Sequence, residues 1–441
     1  MEVLNKNKKA VASRFILLGL ILLVLGMTFG LIGSFQYIIP GFAKHILSFE
    51  QVRPLHVSSV VFWIISGAIG AMFTYLQEYN NKAIFSTLLL KIQFYLFLST
   101  FTLICISYLM SVFGGREYWE FPPILGIPML ISWVLLIINF FKSLRTLQHQ
   151  PVYIWMWLTG VIFFLITFLE SYLWLSPFFR NYIIKDITIQ WKSYGSMVGS
   201  WNMLIYGSSL FCLEKISGNK KYGHSKIAFL LYFTGLFNLM FNWGHHIYTL
   251  PTHHYVKHIS YFVSMTELFI IGRIIYLWKS SLTEAQKYFH ILSYRFIVAA
   301  DIWVFLTLLL AILMSIPGIN VYTHGTHITV AHTMGATIGI NTFLLLAFGF
   351  DILYKGKHHQ QYARLPFWIL NGSLFIFWIS LIIAGILKAR WQMDTHQIPF
   401  SSMMIQLRPF FILFTISGTA LLISISYFVY LIMRNYLSNK K

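Results

Sequence analysis

Charge is what this sequence has least of. Of its 441 residues, 10% are Asp, Glu, Lys or Arg, against roughly 25% in a soluble domain. Acids are scarcest, 13 against 32 Lys and Arg. With 57% hydrophobic residues, such a chain cannot clothe a water-soluble surface and reads as an integral membrane protein. Cysteine is nearly absent too. Cys105 and Cys212 both lie in apolar runs, which excludes a disulfide framework and a cysteine-built zinc or iron–sulfur site. No convincing small-residue cleavage site follows the first apolar run, Phe15 to Gly33, so that run is expected to be a retained helix and not a signal peptide. The formal charge of +19 falls in loops. It points to membrane lipids with anionic headgroups and away from nucleic acid, which needs a soluble basic face.

Apolar length, by contrast, is plentiful. About 20 apolar residues in a helix cross a hydrocarbon core of roughly 30 Å. Twelve runs qualify, near 13–40, 55–78, 84–113, 121–142, 152–176, 191–214, 226–250, 256–278, 289–316, 324–353, 366–388 and 407–434. They are broken at Gly114-Gly115, Pro122-Pro123, Ser217-Gly218-Asn219 and Pro251. Neither a repeat nor a soluble domain is evident. Residues 1–441 are therefore expected to form a single polytopic membrane domain, all-α. Lys and Arg crowd one set of alternate loops and both ends, with Lys6, Lys8 and Lys9 at one end and Arg434, Lys440 and Lys441 at the other. The positive-inside rule then places both termini in the cytoplasm, as an even number of spans requires.

The chemistry-bearing residues gather in the outer leaflet of this scheme. His56 opens the second run, and His245 and His246 lie near the outer end of the seventh. His332 lies about eight residues into the tenth, roughly 12 Å deep. One such histidine is readily a hydrogen-bonded structural residue; four at one depth on three helices point to function, because ionisable groups in a bilayer are costly. Met334 follows His332 by two positions, and residues so spaced on an α-helix point about 200° apart. One helix can thus offer ligands on two sides, although Met alone is ordinary apolar filler. The adjacent His245 and His246 diverge by about 100° on an α-helix. They converge on one metal only with help from the backbone at Gly244, and imidazole suits iron, copper or zinc. Glu267, well inside the eighth run, needs a proton, a partner or a metal to be tolerated there.

Together these residues resemble, over essentially the whole chain, the large catalytic subunit of nitric oxide reductases in the heme-copper oxidase superfamily. The resemblance implies a twelve-transmembrane-helix bundle of the heme-copper oxidase subunit I type. It implies His56 as a low-spin heme ligand. Within Arg116-Glu117-Tyr118-Trp119-Glu120, it implies Glu117 as the carboxylate that helps hold a calcium between heme propionates, and Glu120 as support for proton entry. His245 and His246 correspond to the pair that binds a non-heme metal, with Glu267 as the buried carboxylate beside it. Tyr322-Thr323-His324-Gly325-Thr326, followed by Ala331-His332, resembles the segment carrying the high-spin heme ligand. The implied cofactors are two b-type hemes, a non-heme iron or copper, and calcium.

Three positions depart from the pattern. Asn202 stands where the family's third metal-binding histidine is expected, and Tyr206 where nitric oxide reductases carry a glutamate. An amide oxygen is a poorer ligand than imidazole for a late transition metal, which leaves the metal weakly held, different or absent. Met334 stands where the second low-spin ligand is expected to be His; His–Met ligation raises the heme potential. The implied function is reduction of NO to N2O, with O2 as the second candidate substrate. Dismutation of NO to N2 and O2, and a non-catalytic electron-transfer or sensor protein, are the alternatives. The chain has no Cys-x-x-Cys-His attachment sequence and lacks the long N-terminal extension of quinol-fed relatives. The expected donor is thus a separate membrane-anchored c-type cytochrome, in a bacterial inner membrane. No polar row leads in from the cytoplasmic side, which favours protons taken from outside.

Overall fold

The computed structural model describes residues 2–270, 272, 283, 288–289, 291–354, 363–394 and 398–438. The helices used below are α1 (Glu2–Ile38), α2 (Phe49–Asn80), α3 (Thr87–Leu109), α4 (Gly126–Ser143), α5 (Val152–Glu170), α6 (Ile183–Ser217), α7 (Lys226–Phe241), α8 (His254–Met265), α9 (Leu292–Ser315), α10 (His327–Met334), α11 (Phe343–Leu353), α12 (Arg364–Met393) and α13 (Phe400–Ser438). Among the described residues no strand forms; the one bridge joins Arg116 and Trp119.

Among the described residues, ten helical stretches are long and apolar enough to cross a bilayer, and they fall on ten of the twelve expected runs. The run at 191–214 lies within α6, which is 35 residues long but carries Lys185, Asp186, Gln190, Lys192 and Asn202. The run at 256–278 begins in α8 and continues outside the described residues. Lys440 and Lys441, used for orientation, also lie outside them.

The chain divides into two compact units. The first comprises residues 1–26, 54–252 and 351–353. Its helices approach closely through small residues, as membrane helices do when no hydrophobic drive separates them from lipid. A methyl on Gly160 of α5 would lie 2.7 Å from the Ser200 carbonyl of α6. α7 runs antiparallel against α6 in a register fixed by three glycines. A methyl on Gly195 would meet Trp243 Cβ at 2.8 Å, one on Gly199 would meet Leu239 Cγ at 2.9 Å, and one on Gly235 would meet Met203 Cε at 3.1 Å. Ser196 Oγ donates to the Leu239 carbonyl at 2.7 Å in the same register. At the other end of α6, Lys215 Nζ lies 2.8 Å from Asp351 and 3.0 Å from Glu78.

The second unit comprises residues 27–53, 253–350 and 354–441. Here the tenth run is not the single α-helix its periodicity predicts. A short helix, Pro317–Thr323, is followed by Gly325 in the left-handed region at φ 71°. The Thr326 side chain then caps α10 by accepting from Ile328 N at 3.2 Å. From Gly335 to Thr342 the backbone is π-helical before α11 resumes. Thr342 Oγ1 donates to the Thr337 carbonyl, five residues back, at 2.8 Å. The π segment packs on α9, where Gly339 lies against the Trp303 ring and Gly335 against Thr307.

Candidate functional site

Seven of the predicted site residues lie in the first unit. His56 sits two residues after Pro54 near the start of α2. Its Nδ1 lies 2.7 Å from the Gly26 carbonyl of α1. A carbonyl only accepts, so Nδ1 carries the proton and Nε2 keeps the lone pair. That tautomer is the one a metal ligand needs, and a carbonyl on the other nitrogen is the usual device for fixing it. Gly26 allows the approach: a methyl there would lie 3.0 Å from Ser59 Cβ.

The loop holding Glu117 is tied across its base, with Gly114 N and Gly115 N donating to the Glu120 carbonyl at 3.1 and 3.2 Å. Gly115 admits no side chain, since a methyl would fall 1.6 Å from the Trp119 carbonyl. Arg116 pairs with Asp186 of α6 at 2.6 Å, and Tyr118 meets Tyr194 edge-on at 5.1 Å. Glu117 and Glu120 are half-buried.

The histidine pair occupies the turn that ends the α7 span. Asn242–Ile247 is a 3-10 helix, tighter than an α-helix, and Gly244 within it is buried. Adjacent side chains project about 120° apart on such a helix, wider than the roughly 100° of an α-helix, so the turn type does not itself bring the two rings onto one metal. The His245 and His246 rings lie 4.2 Å apart at 44°. His245 Nδ1 is 3.0 Å from Asn242 Oδ1, which as an acceptor leaves Nε2 for a metal. Trp191 of α6 stacks face to face on His246, 4.5 Å between centroids at 11°.

Asn202 is not part of this group. With Gly195 opposite Trp243 and Gly199 opposite Leu239, the histidine pair is level with Lys192 and Ser193. Asn202 is level with a point about nine residues before His245, roughly 14 Å along the helix. Its Oδ1 is buried without a hydrogen bond. Tyr206 packs on an apolar cluster of Val152, Met156, Met203, Tyr232 and Leu239. The family resemblance suggested these two residues; the level at which α7 packs on α6 puts them away from the pair.

The second unit holds the rest. Glu267 is 7% exposed and follows the end of α8, where Thr266 Oγ1 donates back to the Val263 carbonyl at 2.6 Å. His324 lies in the turn between the two helical pieces, its backbone N bonded to the Asn320 carbonyl at 2.8 Å. His332 and Met334 are both half-buried on α10. The Nδ1 of His332 is buried without a hydrogen bond. Met334 is the last α-helical residue before the π segment.

The fit to cofactors is uneven. His56, with its fixed tautomer, suits an axial heme position. His245 and His246 suit a metal through two imidazoles. Among the described residues no three His, Cys, Asp or Glu side chains come together as a metal site, neither around the pair nor around Glu117. Sequence reasoning missed Asn242 and Trp191. Asn242 was findable, being three residues before His245 and so a neighbour on one helical face; nothing in the sequence marks Trp191.

Such a fold defines a polytopic helical membrane protein, and two adjacent imidazoles lie ring to ring in it. The family described as Cytochrome C and Quinol oxidase polypeptide I matches residues 10–420, and the chain belongs to this family, subunit I of the heme-copper oxidases. Its members are multi-pass membrane oxidoreductases that bind hemes with a copper or iron centre and work with partner subunits on gaseous substrates. A nitric oxide reductase subunit of Stutzerimonas stutzeri is 22% identical over 466 aligned residues, 97% of this chain and 95% of that protein. A heme-copper terminal oxidase dimer solved by cryo-electron microscopy shares the fold with a TM-score of 0.74 at 15% identity, over 98% of this chain and 84% of that one.

Proposed function

We propose that this chain is the catalytic subunit of a nitric oxide reductase-like enzyme of a bacterial cytoplasmic membrane, reducing two NO to N2O and water with two electrons and two protons. The observation that carries the reading is the ring-to-ring histidine pair, His245 oriented by Asn242, in a chain that aligns along 97% of its length with a nitric oxide reductase subunit.

Within this reading His56 and Met334 are the ligands of a low-spin b-type heme, and His332 is the ligand of a high-spin one. His245 and His246 take a non-heme iron or copper. When bound, these groups supply the electrons and the binding positions for the gas. The chain's own residues do the rest. The Gly26 carbonyl holds His56 in its ligating tautomer. Glu267, buried just past the end of α8, is the proton carrier of this scheme. Glu117 and Glu120 offer carboxylates at the outer loop, where protons enter. Asn202 and Tyr206, packed away from the pair, have no part in this scheme. The electron donor is a membrane-anchored c-type cytochrome.

A second reading draws on the want of a third ligand among the described residues, namely a heme protein that senses gas or passes electrons without turnover. Gas analysis of the reduced, purified protein under 15N-labelled NO decides. Labelled N2O supports the reductase. Labelled N2 with O2 makes it a dismutase, and an intact heme spectrum without gas production makes it a sensor or carrier.

A further inference from the structure

The two histidines are not held in the same way. His245 is oriented by Asn242 from its own turn. His246 lies under an aromatic face from another helix, with its imidazole and the Trp191 indole nearly parallel, 4.5 Å between centroids at 11°. Indole, imidazole and imidazole thus run as three consecutive rings, since His246 is also 4.2 Å from His245.

The placement of Trp191 is fixed by the helix that carries it. Gly195, one turn on and on the same face, abuts Trp243 of the histidine turn itself. Ser196 is bonded to Leu239, and Gly199 packs on the same leucine. Any slide of α6 along α7 that would separate the rings must break all three contacts. The indole offers a broad π face and one N–H that only donates. It can hold an imidazole plane but cannot ligate a metal.

We propose that Trp191 is a positioning residue for His246. It fixes the ring plane from the α6 side, at the level where α6 supplies no third imidazole. The proposal rests on reading His246 as a metal ligand, and it assigns to α6 a part that its Asn202, roughly 14 Å further along, cannot play.

The test uses full-length, heme-loaded protein treated with a chelator and titrated with cobalt(II), read by its d–d absorption. Trp191→Leu should weaken cobalt binding on the order of 10-fold or more, in line with the loss of an outer-sphere partner. Trp191→Phe, which keeps a stacking ring, should stay within about threefold of the parent. Heme absorption and thermal unfolding of each variant serve as fold controls. Equal cobalt affinity in the Leu variant and the parent overturns the proposal. In parallel, 15N-histidine solid-state NMR of the metal-free protein should show an upfield ring-current shift at His246 that vanishes in Trp191→Leu. If the parent binds no cobalt, the metal reading of the pair fails. The NMR shift still decides whether the indole holds the ring, and its absence in the parent overturns the proposal on its own.

Discussion

His56 shows how much one side chain can reveal and where its information stops. Its identity and its place at the start of a membrane helix were plain in the sequence; its tautomer was not, because that depends on the Gly26 carbonyl of another helix. If His56 and Met334 are the two ligands of one heme, the oxidised protein should give a His–Met low-spin EPR signature at low temperature. Met334→Ala should abolish it, and Met334→His should restore a low-spin signal at a lower reduction potential, as bis-His ligation does. An unchanged spectrum in Met334→Ala would sink the assignment. The same limit explains Asn202. Its place in the sixth run, where the resemblance expects a histidine, was legible, but the level at which α7 lies against α6 was not. Only the contacts of Gly195, Gly199 and Gly235 reveal that the histidine pair is level with Lys192.

At the scale of elements, long apolar runs were legible because bilayer thickness imposes one length on all of them. What was lost was the irregularity within the runs. The tenth run shows the period of a continuous helix, yet it contains a capped break at Thr326 and a π-helical stretch from Gly335 to Thr342. Wide turns of this kind often mark functional places; here the change begins directly after Met334. The α6–α7 contact was invisible for another reason, since small residues between membrane helices leave no mark on hydropathy. It can be tested directly. A methyl on Gly199 would already lie 2.9–3.1 Å from three atoms of Leu239. Gly199→Val should therefore destabilise the protein by about 1–3 kcal/mol through overpacking, read as lower resistance to denaturing detergent. Because the same contact sets the histidine turn against Trp191, the variant should also bind cobalt less well. Gly372 has open space around its Cβ position, so Gly372→Val is the matched control and should leave cobalt binding unchanged.

For the whole molecule, the contrast between the proposed heme and metal ligands implies an order of loss. A heme is gripped by its macrocycle as well as by axial ligands such as His56 and His332. A metal on His245 and His246 has two imidazoles and, among the described residues, no third His, Cys, Asp or Glu ligand, whereas catalytic zinc sites, the nearest general comparison, keep three protein ligands. The non-heme metal should thus leave first. Dialysis against a strong chelator near neutral pH should remove it while both heme spectra persist, and NO consumption should fall by at least 10-fold. Adding back ferrous iron should restore most of the activity if the lost metal is iron; copper alone should do so if it is copper. Retention of a stoichiometric third metal through dialysis would mean that a further ligand completes the site. A protein that consumes NO with two hemes and no third metal would mean that the pair serves the reaction as imidazoles alone. Lowering the pH should speed the loss, because a histidine must be deprotonated to bind metal and protons compete for both rings. The metal-loss midpoint should accordingly fall to lower pH as the free metal concentration is raised.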